Sequence, residues 1–463
     1  MGVTAAAGIL GKRLLRNTAL LTVSALVMRC LSMVYQVWLA GRIGAAGMGL
    51  FQLVLSVGLL FATLALSGIR FAATRLIAEE LGMGHAGAVP AAVRRALGYA
   101  ALFGCAAGAA LWLAAEPLGF LWVGDGRTVR SLRLFALSLP ASAFCGVFAG
   151  YFTAVGRVWK TAAEQLPEQL CRMGLTMLLL QHVPAEDVEK CCTAVVAAGA
   201  VTDNAGLLAM AVLYLADRRR CGSSSSRSER LTPRLLGLAL PLAASAYARS
   251  ALNTLRQVWV PRGLRLSGLT ADAALSGYGL IGGMVLPLLV FPTAILTALA
   301  ELLVPALTEA QVRGRGREIR EAVVPLLQRS FFFSLVCAAF FFLSADFWAG
   351  AVYHEPRCAE YIRLFAPMLP FLYTDIVTDG CLKGLGQMMR SMVFNICEAA
   401  LGLALVWLLL PRFGLSGYVV TLYLCEIFNF SLSLRRLLTV TGAAGCCEKP
   451  LSRRLRKTPR RIG

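Results

Sequence analysis

Arginines inside apolar runs are the residues of this chain best suited to chemistry. Arg29 lies near the middle of VSALVMRCLSMVYQVWLAG (23–41), a run long enough to cross a bilayer. A charge at the centre of a membrane helix costs roughly 2.5–3.5 kcal/mol on insertion scales, so it is kept where it has a partner or a task. A second run, ARSALNTLRQVWVPRGL (248–264), carries Arg249 and Arg256. They are two helical turns apart and share a face with Asn253. Arg29 and Gln36 have the same spacing. Guanidinium donates two parallel hydrogen bonds to a phosphate or carboxylate. The chemistry on offer is therefore anion binding, with Arg29, Gln36, Arg249, Asn253 and Arg256 as the candidate substrate-binding residues.

Carboxylates in similar runs offer a different chemistry. Asp375 and Asp379 are one turn apart, a spacing that suits a proton or cation site and suits a structural hydrogen-bonding role equally well. Glu164, Glu168, Asp203, Glu301, Glu398 and Glu426 are available to neutralise the arginines. Arg172 follows Glu168 by four residues on one helical face, and this pair is read as internal. Arg29, Arg249 and Arg256 have no such partner on their own helices.

Other chemistries find no support. Fourteen cysteines fall mostly in apolar runs, without C-x-x-C or Cys/His metal spacing, so they read as small buried hydrophobes. His85, His182 and His354 are isolated. No HExxH, P-loop or GxSxG stands in a polar segment. No metal, cofactor or enzymatic activity is expected. Any transport must draw on an ion gradient, the membrane potential or the substrate gradient.

The elements that position these charges follow from composition. Hydrophobic residues make up 58% of the 463 and charged residues 15%, against about 45–50% and about 25% in soluble chains. The excess gathers in twelve runs of about 20 residues, the length that crosses a bilayer: 17–40, 47–68, 96–115, 134–155, 161–181, 193–215, 235–260, 276–300, 325–345, 361–382, 391–411 and 416–434. The run 161–181 is the weakest, because it holds Glu164, Glu168 and Arg172. Period-2 alternation is absent, so the expected class is an all-α polytopic membrane protein. Basic residues cluster in alternate connections: Lys12, Arg13 and Arg16; Arg70, Arg75, Arg94 and Arg95; Arg157 and Lys160; the stretch 217–234; RGRGREIR (313–320); Lys383 with Arg390; and the tail from Arg435. The positive-inside rule then places both termini in the cytoplasm. Most of the net charge of +20 is this asymmetry. Nucleic-acid binding is not expected, since there is no basic soluble domain. The tail reads either as solvated or as lying on anionic lipid headgroups.

The chain also repeats itself. FALSLP (135–140) and FAPMLP (365–370) are offset by 230, and the same offset sets Gly150 on Gly380, Gly156 on Gly386, Glu168 on Glu398, and GMGL (47–50) on GYGL (277–280). QVW (36–38) matches QVW (257–259) at 221, while an offset of 220 sets Arg29 on Arg249 and Gln36 on Arg256. The expected organisation is two homologous six-helix lobes, 1–216 and 235–434, joined by a cytoplasmic linker at 217–234 and followed by a basic tail at 435–463. Parallel repeats of this kind place a substrate site between the lobes near the midplane.

At these residues a family resemblance enters. MRCLSMVYQVWLAGRIGAAGMGLFQLVLSV (28–57) resembles the first two helices of the stage V sporulation protein B family of polysaccharide exporters. The VPR, YG, GM, PL and LVP elements of 260–310 stand in that family's order. The family lies in the multidrug/oligosaccharidyl-lipid/polysaccharide flippase superfamily. The resemblance implies a V-shaped fold with alternating access in the bacterial cytoplasmic membrane. It also implies a lipid-linked anionic saccharide as substrate, such as a peptidoglycan precursor for cell wall or spore cortex, with membrane lipids around a monomer. Arg29 matches the arginine on the first helix of the lipid II flippases of this superfamily. Many relatives extend to fourteen helices and this chain reads as about twelve, so a groove for the lipid tail must be built differently. The competing reading is a cation-coupled multidrug exporter of the same fold, which calls for an acidic cavity rather than a basic one.

Overall fold

In hydrocarbon every backbone N–H and C=O must be satisfied within the protein, and a long apolar run does this alone only as a helix. The computed structural model describes residues 2–83, 85–157, 159–184, 186–218, 231–312 and 316–442, and all twelve apolar runs lie mainly in helix there, four of them with a short turn inside or at one end. No strand occurs among the described residues. The side chains of Lys12, Arg13 and Arg16, linker residues 219–230, and tail residues 443–463 with Cys446 and Cys447 lie outside the description.

In chain order the helices are α1 (2–43), α2 (45–66, resuming as Ile69–Gly82), α3 (Val89–Pro117), α4 (Val129–Ala136 and Leu139–Ala154), α5 (Trp159–Gln181) and α6 (Val188–Arg218). There follow α7 (Leu231–Leu266), α8 (Ala271–Gly279, running on through Leu286–Val290 to Thr293–Val312), α9 (Gly316–Leu343), α10 (Arg357–Phe365 and Leu369–Gly384), α11 (388–413) and α12 (415–440). The boundaries refine the expected linker and tail. Asp217 and Arg218 finish α6, Leu231–Arg234 start α7, and α12 runs on to Val440. Glycine makes two of the corners: Gly44 (φ 68°, ψ 178°) divides α1 from α2, and Gly414 (φ 57°, ψ −133°) divides α11 from α12. Both conformations are essentially closed to residues with a Cβ.

Among the described residues six helical stretches are long and apolar enough to cross a membrane, two of them holding two of the runs each, and the bent pair in α4 makes a seventh. The helices α5, α7 and α10 are not among them. These three carry Arg172 with its acids, Arg249 with Arg256, and Asp375 with Asp379. For α5 the exclusion follows from its charged residues, and for α10 from the break at 366–368, which leaves its longer piece at 16 residues.

The first and second halves of the chain meet through α1, α2, α7 and α8. Backbones touch where α2 crosses the start of α8. A Cβ on Gly279 would stand 2.8 Å from the Gly49 Cα and nearer still to the Ala45 carbonyl oxygen and the Gly49 nitrogen. Gly49 and Gly279 are equivalent at the offset of 230. Residues that meet their own equivalents lie near a twofold axis, and here that axis relates the GMGL and GYGL segments. Further along, Thr254 donates to the Ser56 carbonyl (2.9 Å), Thr63 donates to the Ser250 hydroxyl (3.2 Å) and Tyr247 bonds the Ser67 hydroxyl (2.6 Å). Arg234 closes the same seam on Glu79 and Glu80 at 2.7 and 2.6 Å.

Other features recur at matched places. Each half breaks its fourth helix just before the proline of the FALSLP or FAPMLP element. Gly156 and Gly386 end those helices at φ 72° and 66°. In each half a threonine of the second helix also donates to a glycine carbonyl of the fourth, Thr74 to Gly150 (3.3 Å) and Thr308 to Gly384 (2.8 Å), the second pair lying about one helical turn beyond the offset of 230.

Candidate functional site

The helices α1 and α7 stand between the halves and each reaches back into its own half, α1 with Tyr35 and with Arg42, which donates to the Leu180 and Val183 carbonyls, and α7 with Arg256. Tyr35 on α1 bonds the Thr176 hydroxyl of α5 at 3.0 Å. Arg256 on α7 pairs with Glu398 of α11 at 2.8 Å. Tyr35 and Arg256 are equivalent at the QVW offset of 221. The offset of 220, which set Arg29 on Arg249 and Gln36 on Arg256, therefore gives way. One residue turns a helix face by about 100°, so Arg29 and Arg249 do not occupy matched faces.

The five candidate binding residues fall into four situations. Arg29 and Arg249 are exposed, and neither has a polar partner among the described residues. Gln36 donates to the Gly283 carbonyl at 3.1 Å, tying α1 to α8 across the halves. Asn253 has a buried Oδ1 with no hydrogen-bond partner. Arg256 is neutralised by Glu398, a partner on another helix that spacing along α7 could not reveal. Arg256 is also half-buried, with 20% of its side chain accessible. The guanidinium lies over Gly402, where a Cβ would come within 2.8 Å of Nη1.

Two acidic clusters flank this seam. In the first half Arg172 bonds Glu168 (2.7 Å), Asp203 and the Thr202 hydroxyl (3.3 Å). The expected Glu168–Arg172 pair is present, and Asp203 joins it. Glu164 packs beside them with a buried, unpartnered Oε1, in space left by Gly206. In the second half the paired aspartates differ. Asp379 is held by Lys383 at 2.5 Å and by the Ser391 hydroxyl. Asp375 accepts from Asn429 at 2.9 Å, and its other oxygen is buried without a partner. Glu426 on α12 completes this cluster beside Arg256, Glu398 and Asp375. Sequence reasoning missed Tyr35, Gly402 and the grouping of Glu426. One usable signal was present: Gly402 stands at offset 230 from Arg172.

At the end of the seam that holds the α1–α2 corner, Arg127 bridges Asp125 (2.8 Å) and Asp272 (3.0 Å) across the halves. The Asp125 carboxylate raises the proton affinity of that guanidinium above its ordinary value. Arg265 donates to the Gly124 carbonyl at 3.0 Å, beside it.

Comparison with known proteins places this geometry in context. The family model described as polysaccharide biosynthesis protein matches residues 14–311, well over half the chain, and the MatE model matches 264–408. Stage V sporulation protein B of Bacillus subtilis (strain 168) is 22% identical over 410 residues, covering 87% of this chain and 79% of the relative. Lipid II flippase MurJ of the same organism is 21% identical, covering 86% of this chain and 77% of the relative. Among solved structures, an inward-facing multidrug resistance MATE family transporter of the MOP superfamily superposes with a TM-score of 0.70 at 14% identity, covering 91% of this chain and 99% of the other. A MOP superfamily transporter from Pyrococcus furiosus, described as having a binding pocket of reverse polarity, gives 0.62 at 14% identity, covering 92% and 96%. The fold is that of this transporter superfamily.

Proposed function

This chain belongs to the polysaccharide biosynthesis protein family, and from that premise we propose that it is a flippase that carries a lipid-linked anionic saccharide across the bacterial cytoplasmic membrane. It is a multi-pass membrane protein of the flippase and exporter type, with both termini cytoplasmic in this reading. The single observation that carries the substrate class is the pair of exposed arginines, Arg29 and Arg249, on the two helices between the halves, neither partnered among the described residues. Unpaired charge on a membrane helix is costly unless it faces water or a ligand. The halves act as homologous lobes that rock, closing on the glycine contact of α2 with α8 in one state and parting there in the other. The saccharide and phosphate then travel in the hydrated cleft while the lipid tail stays in the bilayer. Keeping the tail there avoids about 0.8 kcal/mol for each CH₂ brought into water.

Arg29, Arg249 and Arg256 bind the headgroup phosphate, and Asn253 lies beside them. Gln36 serves as a strut between lobes before it serves as a ligand. Asp375, with one oxygen unpartnered, is the better of the two aspartates for proton or cation coupling, since Asp379 already has Lys383. The names of the relatives support a peptidoglycan precursor as the cargo.

The test is translocation of a labelled lipid-linked sugar in proteoliposomes. Arg29→Ala/Arg249→Ala is expected to lose transport with the fold intact, and Lys at both positions is expected to restore only part of it. Full activity in the folded double alanine variant rejects the site. The MatE match over α8–α11 favours a second reading, a cation-coupled multidrug exporter. Uptake of an organic cation that is indifferent to both arginines is the result that selects it.

A further inference from the structure

The two halves neutralise equivalent glutamates with arginines drawn from different helices. Glu168 on α5 and Glu398 on α11 match at the offset of 230. In the first half the arginine comes from α5 itself, as Arg172, and α1 contributes the neutral Tyr35. In the second half the place of Arg172 is Gly402, and the place of Tyr35 is Arg256. The arginine has moved from a helix inside its lobe to the helix between the lobes. The vacated position is a glycine, and the incoming guanidinium fills its space, with Nη1 and Cδ within 2.9 Å of where a Cβ would be.

The move changes how firmly the guanidinium is held. Arg172 is clamped by two carboxylates and a hydroxyl. Arg256 has one carboxylate. The groups facing the pair are Tyr278 from α8, Asp375, Asp379 and Lys383 from α10, and Tyr418, Cys425 and Glu426 from α12. Lys383 is already engaged by Asp379. Arg256 is therefore the cation nearest Glu398, and a second anion arriving in the cleft competes for it directly. Losing Arg256 leaves Glu398 charged beside Asp375 and Glu426. A carboxylate in that position takes a proton, because burying like charges together costs more than neutralising one of them.

We propose that Arg256 is shared between two anions: Glu398 holds it while the cleft is empty, and the phosphate of the substrate takes it on binding, whereupon Glu398 takes up one proton from the solvent. Anion binding and proton uptake are then one linked event, located in the second half alone. Arg172 in the first half keeps its carboxylates throughout. This inference rests on the proposed anionic substrate and adds the residue that couples it to protons.

The probe is geranylgeranyl diphosphate, a short polyprenyl diphosphate, titrated calorimetrically into the purified full chain in detergent. Titrations in buffers of differing ionisation enthalpy give the protons taken up. Wild type is expected to take up close to one more proton per ligand than Glu398→Gln, and Glu398→Gln to bind several-fold tighter because its arginine is released. Equal proton uptake by the two overturns the coupling. Arg256→Tyr/Gly402→Arg rebuilds the arrangement of the first half inside the second. It is expected to fold and to bind the probe at least tenfold more weakly; wild-type affinity means that Arg256 is only a counter-ion for Glu398. If that variant does not fold, Arg256→Gln/Glu398→Gln removes both charges together. Recovery of wild-type binding there overturns the proposal, and continued loss supports it. Failure of wild type to bind any polyprenyl diphosphate rejects the functional reading along with this one.

Discussion

Gly279→Ala adds a single methyl group where the two halves touch, and its consequence can be worked out from the backbone. The new Cβ would lie 2.8 Å from the Gly49 Cα and closer to the Ala45 carbonyl oxygen and the Gly49 nitrogen, whereas real Cβ atoms essentially never come within 3.0 Å of such atoms. All three obstacles are backbone, so no rotamer change relieves them. The helices must part by an ångström or more, and the loss spreads to Met48, which lies where a Cβ on Gly283 would come within 2.9 Å of it. Overpacking of this kind costs about 1–3 kcal/mol, set against a gain of roughly 0.5–1 kcal/mol from replacing a helical glycine with alanine. The control is Gly282→Ala, three residues along. Its Cβ would meet only the Tyr278 ring at 3.7 Å, an ordinary contact, so it keeps the helix gain without the clash. Thermal unfolding in detergent is expected to show Gly279→Ala below wild type and Gly282→Ala at or above it. Because the clash exists only while the halves touch there, Gly279→Ala is also expected to speed cysteine labelling at the Asp125–Asp272 end of the seam. Equal unfolding temperatures and labelling rates for the two alanine variants would refute the glycine contact as the place where the halves close.

Three further outcomes are expected. A membrane-impermeant thiol reagent applied from outside should reach a cysteine placed at Asp187 and fail to reach one at Ser224; the opposite pattern reverses the proposed orientation. Asp217 is buried and accepts from Tyr151, Arg157 and Lys160, so Asp217→Ala strands two cations and should lower stability by about 3–5 kcal/mol, which denaturant or thermal unfolding will read. At the α1–α2 end, Asp125→Ala removes both the Arg127 ion pair and the acceptor for the Arg127 backbone N–H at 3.0 Å, whereas Asp272 is exposed. Unfolding should therefore register a clear loss for Asp125→Ala and less than about 1 kcal/mol for Asp272→Ala, and an equal loss for both would show that the bridge between halves matters as much as the turn.

The helices were legible in the sequence because their cause is local. Apolar runs of bilayer length have one way to satisfy their backbone, and each of the twelve is mainly helical. The Glu168–Arg172 pair was legible for the same reason, since four residues along one helix fix the neighbour. GMGL and GYGL are also the two segments whose glycines touch, because only glycine permits that approach. What the sequence left open were contacts between helices. These depend on rotation about each helix axis, and there a slip of one residue turns a side chain by about 100°. The offsets 220 and 221 are nearly equal as sequence matches, yet they point Arg256 at different neighbours. Only the packing of α7 against α11 decides that Arg256 reaches Glu398. The unpartnered oxygen of Asp375 and the strut from Gln36 to Gly283 are of the same kind, whereas the Lys383 clamp on Asp379 is an i,i+4 pair along one helix that spacing could have shown. Spacing along one chain can nominate a charge, but its counter-charge arrives from a helix more than a hundred residues away, and only the folded arrangement brings the two within reach.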